Sequence, residues 1–201
     1  MWMRPVLLPN GMLNTQPPRP CNLRADQMAR VIPEPLWPFV LRVYKADGVA
    51  GVCLELQETD GVDVPILLFS AWLGACARWT SLDDIAKLDA QIAPWRTEVV
   101  QPLRKIRQRL KYGPAPAPSD QTTPLREAIK SAELSAERLE LAWLAEHADS
   151  FCQPSELGDA ILQIDTAPIV AANLEAGLQH FRKIPLDHAS RQQLALIAAA
   201  V

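Results

Sequence analysis

The sequence predicts an all-α protein, an irregular helical bundle with a central amphipathic helical hairpin. Apolar residues recur at spacings of three and four through most of the chain from residue 36 onward. Asp-Gly pairs and isolated Ser, Thr, Asp and Pro residues fall where these periodic segments stop and start. A basic amphipathic segment and an acidic one flank a Pro-rich stretch, GPAPAPSDQTT from Gly113. With 49% hydrophobic and 21% charged residues among 201, the chain has enough apolar surface for a packed core. A formal net charge of −3 and a pI near 5.6 argue against a dedicated nucleic-acid domain, although a local basic patch is compatible with them.

Residues 1–33 are Pro-rich and aperiodic and are expected to form a disordered N-terminal arm; translation from Met12 or Met28 is a second expectation for this stretch. The first helix runs from Leu36 to Ala46, with Leu36, Val40 and Val43 on one face and Pro38 tolerated in the first turn. Asp47-Gly48 ends it, and Val49, Val52, Cys53 and Leu56 carry the next helix to Asp60-Gly61. Asp63 caps a third helix that opens on Pro65 and is apolar on every side, as a helix buried in the domain centre is. Strands over VCLEL and VPILLF are the alternative; helical spacing in the first and the Ala/Leu/Trp continuation of the second favour helix. Thr80-Ser81 caps SLDDIAKLDAQI, with Asp83 and Asp84 near the positive helix end. Ala93-Pro94 is expected to break or kink the chain.

APWRTEVVQPLRKIRQRLK then starts a new helix, its apolar stripe formed by Trp95, Val99, Leu103, Ile106 and Leu110 and its axis bent at Pro102. Residues 113–123 read as a flexible loop. Thr123-Pro124 opens the most regular helix of the chain. Leu125, Ile129, Ala132, Ala136, Leu139 and Trp143 form its expected apolar stripe, and Glu127, Glu133, Glu137, Glu140 and Glu146 lie on its other, solvated faces. The bundle domain is expected over 34–150. A C-terminal helical extension follows over 151–201, with caps at Ser155, Thr166 and Asp187.

The basic stretch has three readings: one wall of a hairpin paired with the acidic helix, a phosphate-contacting helix, or a surface for an acidic protein partner. The hairpin fits best, since flanking charges of opposite sign choose which helices pair. No pattern for chemistry accompanies it. There is no Glu-x-x-His for a di-iron bundle, no aspartate pattern of prenyl-transfer enzymes, no G-x-S-x-G elbow and no glycine-rich phosphate loop. The four cysteines are isolated, without zinc-ligand spacing to the three histidines. Cys53, Cys76 and Cys152 are expected to be core residues rather than nucleophiles serving His147. The tryptophans at 37, 72, 79, 95 and 143 are spread over five expected helices and are read as core, with a Trp-rimmed binding groove as the alternative.

LW-x-F-x-L-x-x-Y (Leu36 to Tyr44), GV-x-x-x-CLELQ (Gly48 to Gln57), the Val64, Leu67, Leu68, Trp72 to Gly74 run, APWR-x-x-VV-x-PLR-x-x-R (to Arg107) and LRE with AEL-x-AE (to Glu137) together resemble a proteobacterial family of conserved hypothetical proteins catalogued as domain of unknown function 2390. The resemblance covers residues 36 to 148 or so. It carries Arg96, Arg104 and Arg107 but not Lys105, Arg109 or Lys111. It implies a small helical protein and brings no activity, cofactor or partner.

The expected role is a non-enzymatic, cytoplasmic interaction or regulatory module with an unidentified protein partner. A small-ligand binder or enzyme with a pocket between Trp-bearing helices is the alternative, and weak RNA or DNA binding through residues 95–111 the second. Candidate binding residues are Arg96, Arg104, Arg107 and Lys111 on the basic helix and Trp37 and Trp72 on the helices before it. No catalytic residue, metal ligand, cofactor or membrane segment is assigned, and nucleic acid is not the expected partner.

Overall fold

Gly74 and Val170 touch backbone to backbone at the centre of the fold. A Cβ on Gly74 would stand 2.6 Å from the Cα of Val170 and 2.7 Å from its nitrogen. The two helices that meet there belong to a computed structural model describing residues 34–151, 165–182 and 184–201. Its elements are α1 (Leu36–Tyr44), α2 (Val49–Thr59), α3 (Val64–Ala75), α4 (Leu82–Trp95), a π turn (Arg96–Val100), α5 (Gln101–Tyr112), α6 (Thr123–Phe151), α7 (Ala167–Phe181) and α8 (His188–Ala198), with no strand element among the described residues. The all-α class is as the periodicity predicts. The arm expected over 1–33 and the short helix expected from Ser155 to Leu162 lie outside the described residues.

Three expected caps act as their chemistry dictates, whereas Thr166 makes no side-chain cap bond and Asp165 accepts the Ala167 N–H at 3.1 Å instead. Asp63 accepts the Ile66 N–H at 3.0 Å and starts α3. Ser81 and Asp84 form a reciprocal capping box on α4. Asp187 accepts the Ser190 N–H at 2.8 Å and starts α8. Gly48, at φ 79°, supplies the left-handed step between α1 and α2.

Helix α3 is the axis of the bundle. Ile66, Leu67, Leu68, Phe69, Ala71 and Leu73 are all buried, which explains why the segment shows no polar face. Its most extensive contact is with α7, where Gly74 and Gly177 allow close approach and Val170, Leu174 and Leu178 fill the interface. Asn173 of α7 is fully buried and its amide is well used. It accepts the Thr80 N–H and donates to the carbonyls of Ser70 and Arg78. Of the helices in the expected extension, α7 therefore packs on the central helix, and α8 packs on α7 and α2.

Two expectations fail after Pro94: no new helix starts at the basic stretch, and its apolar stripe is not continuous. The chain does not break there: α4, the π turn and α5 form one continuous run from Leu82 to Tyr112. The wide turn lies between two prolines that cannot donate hydrogen bonds, and it closes through the Gln101 N–H on the Arg96 carbonyl. The Thr97 hydroxyl adds bonds to the carbonyls of Ala93 and Pro94. Inserting one residue rotates everything after it by roughly 100° relative to an unbroken helix. The predicted stripe is split as a result. Val100, not Val99, is fully buried, Ile106 is 47% exposed, and no residue of α5 is fully buried.

The tryptophans also depart from the core reading. Trp37, Trp72, Trp95 and Trp143 are half-buried at the core's edge, and Trp79 lies in the turn before α4, mostly in solvent. Each of two indoles finds the acceptor it requires: Trp72 Nε1 donates to the Glu34 carbonyl at 2.9 Å and Trp95 Nε1 to that of Ala136 at 3.1 Å.

Gly74→Ala should destabilise the protein by about 3 kcal/mol or more, because the new methyl meets backbone that cannot turn aside. Gly51→Ala, which meets nothing within 4 Å, should be neutral or slightly stabilising. Urea denaturation of both variants checks the pair.

Candidate polar cluster and groove

The hairpin forms, but the buried face of its acidic helix is turned by roughly 90° from the one expected, with Ala136 common to both. α5 and α6 pack against each other. Of the predicted α6 stripe only Ala136 is fully buried, while Leu125 is 53% and Leu139 59% exposed. The buried face instead reads Glu133, Ala136, Glu140, Leu141, Leu144, Ala148. The π turn supplies the reason. It directs Arg104 and Arg107 of α5 at α6, and charge pairing then selects the glutamate face of α6 over its leucine face.

The contacts are specific. Arg104 Nε donates to Glu133 Oε1 at 2.9 Å, and Arg104 Nη2 to Glu137 Oε1 at 2.6 Å. Arg107 grips Glu133 through Nε and, at 3.2 Å, through Nη2. Burial alone would raise the Glu133 pKa, but the hydrogen bonds from Arg107 and Arg104 outweigh it and hold the carboxyl below its ordinary range. Burial raises Glu137, which keeps fewer bonds.

Deeper in the bundle, Arg96 of the π turn pairs with Asp89 and lies 3.6 Å from Asp63. Asp89 also meets His180 Nε2 of α7 at 2.8 Å. Glu140 stands in this setting with both carboxylate oxygens buried and no hydrogen-bond partner among the described residues. Burial, then the charge of Asp63, pushes its carboxyl up to about 9. Burial raises Asp63 as well. Five carboxyls, of Asp63, Asp89, Glu133, Glu137 and Glu140, thus share three arginines and one histidine. A proton retained on the Asp63–Glu140 pair brings the cluster towards charge balance.

On the flank of this cluster α1, α2, α3, α5 and α6 enclose a half-open groove of about 310 Å³. Its walls are mostly apolar: Trp37, Val40, Leu41 and Tyr44 from α1, Leu54 from α2, Val64, Pro65 and Leu68 from α3, and Leu134 and Leu141 from α6. Gln57, Arg104, Arg107, Lys130, Glu133 and Glu137 supply its polar groups. Arg138 stacks over the Trp37 ring, 5.4 Å from its centroid.

Of the residues singled out from the sequence, the fold brings Trp37, Arg104 and Arg107 to one groove. Arg96 lies in the deeper cluster. Lys111 is exposed and rests over the Tyr112 ring, and Trp72 packs beside Phe69 and anchors Glu34. Tyr44, Leu54, Lys130, Leu134 and the two groove glutamates are not among the residues the sequence singles out. The signal for the glutamates was present: two arginines three apart on α5 match two glutamates four apart on α6. Cys53 is buried in the core and burial pushes its thiol up to about 12, so it stays protonated. His147 hydrogen-bonds the Trp143 carbonyl and stacks on that ring. Among the described residues no group of three or more His, Cys, Asp or Glu is placed to hold a metal ion, and no helix is long and apolar enough to cross a membrane.

Glu140 binds a proton in the folded chain through a range where the unfolded chain has lost it, so its contribution to stability falls as pH rises between about 4.5 and 9. Glu140→Gln should remove most of that fall and raise the melting temperature at pH 8; parallel melting-temperature profiles for the variant and the parent would contradict it. Glu133→Gln should cost about 3 kcal/mol by leaving Arg104 and Arg107 underpaired. Glu127→Gln, at an exposed site of the same helix, should cost almost nothing in the same melts.

A family model described as Protein of unknown function (DUF2390) matches residues 35–144, more than half of the chain. No curated protein and no solved structure gives a match. The matched span runs from the start of α1 through most of α6, and so includes the groove, the π turn and both sides of the Arg–Glu hairpin; the chain belongs to this family of unknown function.

Proposed function

We propose that the chain is a non-catalytic interaction module of the cytoplasm that receives an apolar side chain of a partner polypeptide in the groove between α1, α2 and the hairpin. One observation carries this: Leu54 and Leu134, on opposite walls, are 47% and 50% exposed and frame an apolar groove with a charged margin. Apolar centres ringed by polar groups are what binding hot spots look like. A partner side chain the size of Leu or Phe would gain roughly 2 kcal/mol from burial there. The basic helix is poorly suited to nucleic acid in this reading. Arg104 and Arg107 are engaged by glutamates, which leaves only Lys105, Arg109 and Lys111 of the stretch on the outside.

A second reading, a small apolar ligand, is favoured by the groove's volume, which lies at the lower end of the range for ligand pockets. Native mass spectrometry distinguishes it by a retained small-molecule mass.

A photo-crosslinking residue placed at Leu54 or at Leu134 should give the same discrete polypeptide adduct in cells, and one at Leu125, exposed but outside the groove, should not. Equal adducts at all three positions, or none at 54 and 134, would contradict the interaction reading. Leu54→Asp with Leu134→Asp should abolish the partner's binding and lower the melting temperature by no more than a few degrees, as surface changes do.

A further inference from the structure

The polar margin of the groove is unevenly charged, and the imbalance says something about the partner. Glu133 is fully occupied: it accepts from Arg104 Nε and from two nitrogens of Arg107. Glu137 accepts from Arg104 Nη2. The Nη1 groups of Arg104 and Arg107 donate to no acceptor among the described residues, and the two side chains keep 17% and 25% of their surface exposed on the groove wall. Lys130 adds an ammonium on an exposed side chain, tied only loosely to Glu127 at 3.7 Å. Three cations line the groove against two carboxylates; beside it, outside the lining, Glu127 faces Lys130 and Arg138 lies over Trp37. The arginines are preoriented by their glutamates, so a new carboxylate meets donors whose conformational entropy is already spent.

Resting on the interaction reading above, we propose that the partner segment carries a carboxylate beside its apolar anchor. A Leu-, Phe- or Trp-sized side chain enters between Trp37, Leu54 and Leu134, and an Asp or Glu within about one helical turn of it meets Arg107, Arg104 and Lys130. A polypeptide is the occupant that fits. A small acid held inside the groove would leave the two rim leucines in water, whereas a peptide backbone laid across the rim covers them.

The test is selection of a random-sequence peptide display library on the full chain, with counter-selection on the Leu54→Asp, Leu134→Asp double variant. Enriched peptides should share a large apolar residue with Asp or Glu three or four positions away. Lys130→Glu, which alters an exposed side chain, should weaken them roughly three- to tenfold. Raising salt from about 50 to about 500 mM should weaken them further. Peptides that need the groove but show no acidic preference, or prefer Lys and Arg, would overturn this inference and leave the interaction reading standing. Peptides recovered equally on the double variant, or no enrichment on either protein, would overturn both.

Discussion

Glu133 is held by two arginines from the neighbouring helix, and the hairpin's geometry follows from that contact. A carboxylate with 6% of its surface exposed, accepting three guanidinium bonds, allows α5 little freedom to slide or roll on α6. Once α6 is held by its glutamate face, Leu141, Leu144 and Ala148 farther along it are directed into the core, and Leu134 is left at the groove's edge. Buried ion pairs are costly to desolvate and contribute little net stability relative to apolar packing. Their value here is selection. α6 also has a leucine face that would otherwise compete for the same neighbour, and the arginines decide between the two.

The arginines reach that position because of a backbone irregularity. Two prolines eight residues apart each remove a helix donor, and the chain absorbs them with one wide turn instead of a break. The same turn aims Arg96 inward at Asp63 and Asp89, so the residue that caps α3 is also an ion-pair partner of the π turn. The polar cluster and the shape of the groove are therefore consequences of one insertion in the helix register.

This explains what could be read in advance. Caps are local chemistry, and Asp63, Ser81 and Asp187 stand where their side chains predict, as do the bounds of α2 and the pairing of the basic and acidic helices. Which faces pair was not legible, because a 4-4-3-4 stripe from Trp95 to Leu110 assumes an unbroken period, and a π turn leaves no mark in an apolar pattern. The two prolines are visible, but their local chemistry predicts a break or kink at the first and a bend at the second, not a π turn between them. The half-exposed tryptophans and the groove depend on long-range packing of α1 against α6, which periodicity does not encode.

Glu140 has a consequence for how the molecule exchanges matter with its surroundings. Among the described residues the buried Glu140 carboxyl has no bonding partner, and burial raises its pKa, so a chain folding near neutrality takes up a proton there and returns it on opening. Folding near neutrality is thus a chemical uptake reaction as well as a packing event. The heat measured for it includes the ionisation heat of whatever buffer supplied the proton, and two laboratories using Tris and phosphate would obtain different calorimetric enthalpies for the same fold.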